Sequence, residues 1–193
     1  MTRTIWFVTH PDVLIDPAVA VPDWPLSARG VARMRAALGQ PWTRALAAIW
    51  ASTERKATDA AAILAEPRGG LFHTLASLGE NDRAATGYLP RADFEATADL
   101  FFAHPEASIR GWERAIDAQR RIVGAFDAVL AAAPAEGDTA IVAHGGVGAL
   151  LMCALEGVPI SRAHDQPPGN GGFLFAIDPH TRLLRHGWHP IDP

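Results

Sequence analysis

The chain has 193 residues, 49% of them apolar and 20% charged, which is the make-up of one globular domain able to bury most of its apolar surface without staples. Seventeen basic and 21 acidic side chains leave a formal net charge of −4, which excludes the basic footprint of a non-specific nucleic-acid or anionic-membrane binder. A single cysteine, Cys153, allows no internal disulfide or sulfur-ligated metal cluster, and no stretch approaches the ~20 apolar residues of a membrane span, so a reducing, cytoplasmic location is expected.

Thr4 to Thr9 is short, β-branched and aromatic, and it stops at His10-Pro11, where proline cannot continue a ladder; it reads as a buried strand. After a proline-punctuated loop from Pro17 to Pro25, Ser27 is placed to cap a helix whose Val31, Met34 and Leu38 fall at helical spacing and which ends near Gly39. Leu46 to Ala51 reads as a second buried strand. Ser52 or Thr53 then caps an alanine-rich helix running to about Glu66, closed by Pro67-Arg68-Gly69-Gly70. Leu71 to Leu75 is a weaker strand, Gly79 to Pro90 a polar loop, and Phe94 to His104 a helix.

From Trp112 to Ala133 one apolar stripe, including Ile116, Val123, Phe126 and Leu130, predicts a long amphipathic helix stopped by Pro134. A third strong strand, Thr139 to Ala143, ends at His144-Gly145-Gly146 and feeds a helix that Gly157 terminates. A loop rich in proline and glycine, His164 to Gly172, precedes a pair of strands, Phe173 to Ile177 and Arg182 to His186. Strands alternating with helices imply an α/β fold: three layers, doubly wound, a mostly parallel central sheet with helices on both faces, formed as a single domain over 1–193 with a small cap around 80–112.

Ligands of such sheets sit beyond the carboxyl ends of the strands, and three of those ends carry chemistry: His10, the segment Ser52 to Lys56, and His144. Imidazole changes charge near neutral pH, so either histidine is a candidate nucleophile, base or ligand. Gly145 and Gly146 permit close approach to the free N–H groups of a helix start. Lys56 is the only lysine, against 16 arginines, and it sits with Arg55 at a helix N-terminus, where cations oppose the helix dipole unless an anion is bound. A set of metal ligands, His10, Asp12, His144 and His164, is a remote alternative. Cys153, beside Leu150 and Leu151, reads as core packing, and His180, His186 and His189 carry no assignment.

Five ordered stretches, Thr9-His10-Pro11, Leu26-Ser27-Ala28-Arg29-Gly30, Ser52-Thr53-Glu54-Arg55-Lys56-Ala57, Leu78-Gly79-Glu80 and Ala143-His144-Gly145-Gly146, resemble the histidine phosphatase superfamily, which includes phosphoglycerate mutase-like enzymes. That family has Arg-His-Gly where this chain has Thr9-His10-Pro11, and arginine where it has Lys56. The resemblance implies a phosphatase, rather than a mutase, in which His10 becomes a phosphohistidine, Glu80 handles the leaving-group proton, and His144 and Lys56 hold the phosphoryl oxygens. Arg55 or Arg83 are candidates to replace the lost arginine, with Thr9 and Gly145 at the phosphate. Trp112, Glu113 and Phe101 to Arg110 belong to the cap, and Asp165, Gln166 and Asn170 edge the site, although Phe101 and Phe102 read first as core. No cofactor or metal is implied; the partner is a phosphorylated small molecule or phosphoprotein, without nucleic acid or membrane. The other class left open is a non-catalytic phospholigand-binding protein on the same fold.

Overall fold

A computed structural model describes residues 3–193. Its sheet has six strands in the order β3-β2-β4-β1-β5-β6, formed by β1 (Ile5–Thr9), β2 (Leu46–Ala51), β3 (His73–Thr74), β4 (Asp138–Ala143), β5 (Phe173–Ile177) and β6 (Leu184–Pro190). The first four run parallel; β5 is antiparallel to β1, and β6 antiparallel to β5. The chain thus has the three-layer α/β architecture expected from its alternation of strands and helices, with an antiparallel pair at one edge.

Strand alternation sorts the core into two layers. From β1 and β4, Ile5, Phe7, Ile141 and Ala143 face α4 (Ala115–Ala132) and α5 (Gly145–Glu156), with Phe7 stacked on Phe175 at 4.9 Å between ring centroids. The intervening Val8, Ala140 and Val142 face α1 (Ala28–Ala37) and α2 (Arg55–Ala65). Those alanine-lined surfaces let α2 approach the sheet closely. The remaining helix, α3 (Arg91–Ala103), buries Phe101 and Phe102 in the α4/α5 layer, as their core reading anticipated.

Ser27 caps α1 through its side-chain oxygen, which accepts from Gly30 N at 3.1 Å, as the sequence predicts. Three boundaries differ. The weak strand at 71–75 shrinks to His73–Thr74, because Leu71 lies 84% exposed and has no face to bury. β6 extends to Pro190 as an edge strand, which tolerates proline. The cap of α2 falls at Glu54 rather than Ser52 or Thr53, since the Ser52 hydroxyl accepts the Glu54 N–H at 3.2 Å and spends itself before the helix begins.

Parallel register aligns the three loaded strand ends. Thr9 pairs with Ala143 and Ala51 with Val142, and the ladder continues one residue further through His10 N to Ala143 O at 3.1 Å and Ser52 N to Val142 O at 3.0 Å. His10, Ser52 and His144 therefore leave the sheet side by side.

Candidate active site

The His10 imidazole lies 5.2 Å from that of His144, centroid to centroid, with the rings at 68°. Its Nδ1 is 3.0 Å from Pro11 O. A carbonyl only accepts, so this nitrogen carries the proton and the lone pair resides on Nε2. Burial pushes the His10 imidazole down to about 4, with the cations Lys56 and Arg83 adding to it against the Pro11 carbonyl and Glu54. His144 is buried to 1% exposure, and among the described residues neither ring nitrogen has a hydrogen-bond partner; burial drives it well below the ordinary histidine value in spite of Glu54. Both rings are neutral at working pH.

Behind the histidines lies a group that no motif announced. Glu54, at the start of α2, makes no capping bond to its own helix. Its carboxylate turns inward, accepting from Lys56 Nζ on one oxygen and from Glu80 N, at 2.8 Å, on the other, which also lies 3.3 Å from His144 Nε2. Burial alone would raise this carboxyl, but the charge and hydrogen bond of Lys56 and the Glu80 N–H hold it at about 2, so Glu54 is ionised at neutral pH. Lys56 itself is 3% exposed and donates also to Val21 O at 2.9 Å.

Glu80 closes the site from the other side. Its two carboxylate oxygens accept from Val147 N at 3.0 Å and Gly146 N at 3.1 Å, at the positive end of the α5 dipole. A side chain at 146 would put Cβ 2.8 Å from Glu80 Oε1, and one at 145 would put it 2.5 Å from Gln166 Nε2, so these two glycines admit the groups that edge the pocket. The Glu80 loop is held by Arg121, whose guanidinium donates to Ser77 O, Gly79 O and Glu80 O at 2.8–3.1 Å while its Nε and Nη2 donate to the two carboxylate oxygens of Glu113. Sequence reading missed Arg121; nothing in α4 marks it apart from the other arginines there. Glu54 had one available signal, an acid set between Ser52 and the only lysine.

A cavity of about 430 Å³ opens on His10, Glu80, Asn81, Arg83 and Gly145, walled by Phe94, Phe101 and Trp112. A larger one of about 550 Å³ lies beyond, on the far side of the 79–83 loop, and is lined by Glu54, Asp82, Glu113 and Arg121. The smaller is the one with chemistry, because it alone holds His10. Arg83 lines both and lies over Phe94 and Trp112, 5.1 and 5.6 Å from their centroids. Among the described residues Arg83 and the exposed Arg91 line this cavity without an ion-pair partner, whereas Arg162 is held by Glu95, Asp99 and Asp165.

Two expected phosphate contacts are corrected by this geometry. Arg55 is exposed and lines none of the cavities, since one residue along α2 turns it about 100° from the inward Lys56. Thr9 is 1% exposed and its hydroxyl is committed, donating to Gln166 Oε1 at 2.9 Å and accepting from Phe173 N at 3.0 Å; it ties the 166–173 loop to β1. The alternative metal ligands do not converge: Asp12 pairs with Arg33 and Asn170, His164 with Glu156. Cys153 is buried, as its packing role requires.

The site thus joins two histidines from adjacent parallel strands of an α/β sheet to a carboxylate, Glu80, that accepts from N–H groups in the first turn of α5. The family model of the histidine phosphatase superfamily (branch 1) matches residues 16–175, and the chain belongs to that superfamily. The matched span begins after His10, which therefore rests on geometry. No curated protein matches the sequence. Solved structures share the fold: YhfR of Bacillus stearothermophilus (22% identity, TM-score 0.79, 99% of this chain and 98% of that one) and a mycobacterial glucosyl-3-phosphoglycerate phosphatase (22%, 0.75, 98% and 97%). The alpha-ribazole phosphatase of Shigella flexneri is similar too (17%, 0.72, 98% and 97%). Among the described residues no helix is long and apolar enough to cross a membrane.

Proposed function

We propose that the protein is a cytoplasmic phosphatase for a phosphorylated small molecule or phosphoprotein, acting through a phosphohistidine on His10. The observation that carries this reading is the Nδ1–H bond from His10 to Pro11 O, which leaves Nε2 as the lone-pair nitrogen of a neutral imidazole lining the cavity. Nε2 forms the bond to phosphorus while the ester oxygen leaves in line and takes a proton from the Glu80 side; water then attacks phosphorus, loses its proton to Glu80, and frees His10 and phosphate. Arg83 supplies charge to the equatorial oxygens, and the segment from Glu80 to Trp112 acts as the cap. The neighbours whose names include a phosphatase activity, glucosyl-3-phosphoglycerate and alpha-ribazole phosphatases, agree with this class without naming the substrate.

Hydrolysis of p-nitrophenyl phosphate tests the proposal. His10→Ala should lower kcat by about 10⁴-fold or more, the loss expected on removing a nucleophile, and quenching wild type during turnover with alkaline detergent should trap phosphate on the protein that later acid treatment releases. Equal, near-zero rates for wild type and His10→Ala across a panel of phosphate esters would sink it. They would favour instead a phospholigand-binding protein, a reading supported by Lys56 being already paired with Glu54.

A further inference from the structure

Beside the two histidines, groups that a phosphoryl oxygen would seek are already taken by a carboxylate that lines the adjoining cavity of about 550 Å³ rather than the one that opens on His10. Lys56 Nζ and the Glu80 N–H both donate to Glu54, whose carboxylate also faces His144 Nε2 at 3.3 Å, and the side chain is only 12% exposed. Every charged element around it is accounted for. Lys56 comes from α2, His144 from the end of β4, His10 from the end of β1, Glu80 and Arg83 from the 79–83 loop, and Arg121 from α4. Two of these, Lys56 and Arg121, have carboxylate partners of their own, in Glu54 and Glu113. The donors at the base of the pocket therefore hold an anion that is part of the chain.

We infer that Glu54 is a specificity-determining residue, a built-in carboxylate that competes with the phosphoryl group for Lys56, the Glu80 N–H and the face of His144. This deepens the phosphatase reading and rests on it only in taking the two-histidine pocket as the anion site. An entering dianion meets like charge at close range, so free phosphate is held weakly. Productive binding depends on the rest of the ester, gripped by Arg83 and the aromatic wall of Phe94 and Trp112. The consequence is discrimination against bare inorganic anions and, after hydrolysis, ready loss of product phosphate.

The test is equilibrium binding of sulfate, a tetrahedral dianion across the working pH range, to the full-length protein by calorimetry. Glu54→Gln keeps the shape and the acceptor oxygen and removes the charge. It should bind sulfate at least about tenfold more tightly than wild type at neutral pH. Glu54→Ala serves the same purpose if the glutamine variant fails to fold, with circular dichroism confirming the fold of whichever protein is used. Sulfate affinity unchanged or weakened in the folded variant overturns the inference, because a carboxylate that merely positions Lys56 and His144 would help the anion rather than oppose it. The readout is independent of turnover. Tighter sulfate binding with no hydrolysis in any variant upholds the role of Glu54 and removes the phosphatase; hydrolysis without tighter binding does the reverse.

Discussion

The two walls of the pocket are made differently. The wall of strand ends, with His10, Glu54, Lys56 and His144, is fixed by parallel register and backbone ladder bonds, is nearly closed to water, and has its charges cancelled within itself. The opposite wall, the 79–83 loop and α3, is assembled from side-chain clamps, Arg121 on Glu113 and Arg162 on Glu95 and Asp99, and it carries the unpaired cations Arg83 and Arg91. The sheet thus fixes the position of the two histidines, while the loop carries the unpaired positive charge; under the proposed function, the cationic duty falls to the cap side rather than to the strand ends.

If that division holds, Arg83→Ala should be the most damaging change on the loop wall, lowering kcat/KM by about 100- to 1000-fold, the usual cost of losing one preorganised charge-stabilising donor. Its melting temperature should stay close to wild type, since Arg83 lies over Phe94 and Trp112 without an ion-pair partner. A loss of stability equal to the loss of activity would dissolve the distinction between the walls. On the strand-end wall, Thr9→Val should act in the opposite sense. It removes the partner of Phe173 N and Gln166 and costs about 1–3 kcal/mol of unfolding free energy in urea melts.

Stability also depends on pH. His10 and His144 have folded values depressed below the unfolded one, so above about pH 6.5 both states are neutral and nothing is lost. As pH falls from about 6.5 toward 4, the unfolded chain takes up protons that the folded one refuses, and stability drops by at most about 1.4 kcal/mol per pH unit for each imidazole. Glu54 works in a lower window, its contribution being present above about pH 4.5 and lost as pH falls toward 2. Thermal melts of His144→Asn should show a flatter slope between pH 6.5 and 4 than wild type. An unchanged slope would mean that burial is not what holds the ring neutral.

The same asymmetry explains what could be read in advance. His10, the 52–56 segment and His144 were legible because each ends a short apolar strand, and a parallel α/β sheet collects strand ends. Lys56 was legible through its solitude among arginines. The direction in which side chains turn at a helix start was not, and there Glu54 took the pocket while Arg55 took the solvent. Thr9 was misjudged for a related reason. Its hydroxyl serves a loop 157 residues or more away in sequence, a contact that no local pattern encodes. Arg121 on α4 and Glu113 in the segment just before it, eight residues apart, work only once the 77–80 loop is laid across them.

One clamp outside the pocket sets the terms for handling this protein. Arg33, on α1, holds Asp12 just past His10, the carbonyls of Gly171 and Gly172, and both oxygens of Asp192. Gly172 N in turn donates to His10 O, and a side chain at Gly171 would collide with that same oxygen at 2.1 Å. Asp192 is thus one guanidinium away from the backbone that seats His10, so Asp192→Ala should disturb a histidine more than 180 positions earlier in sequence.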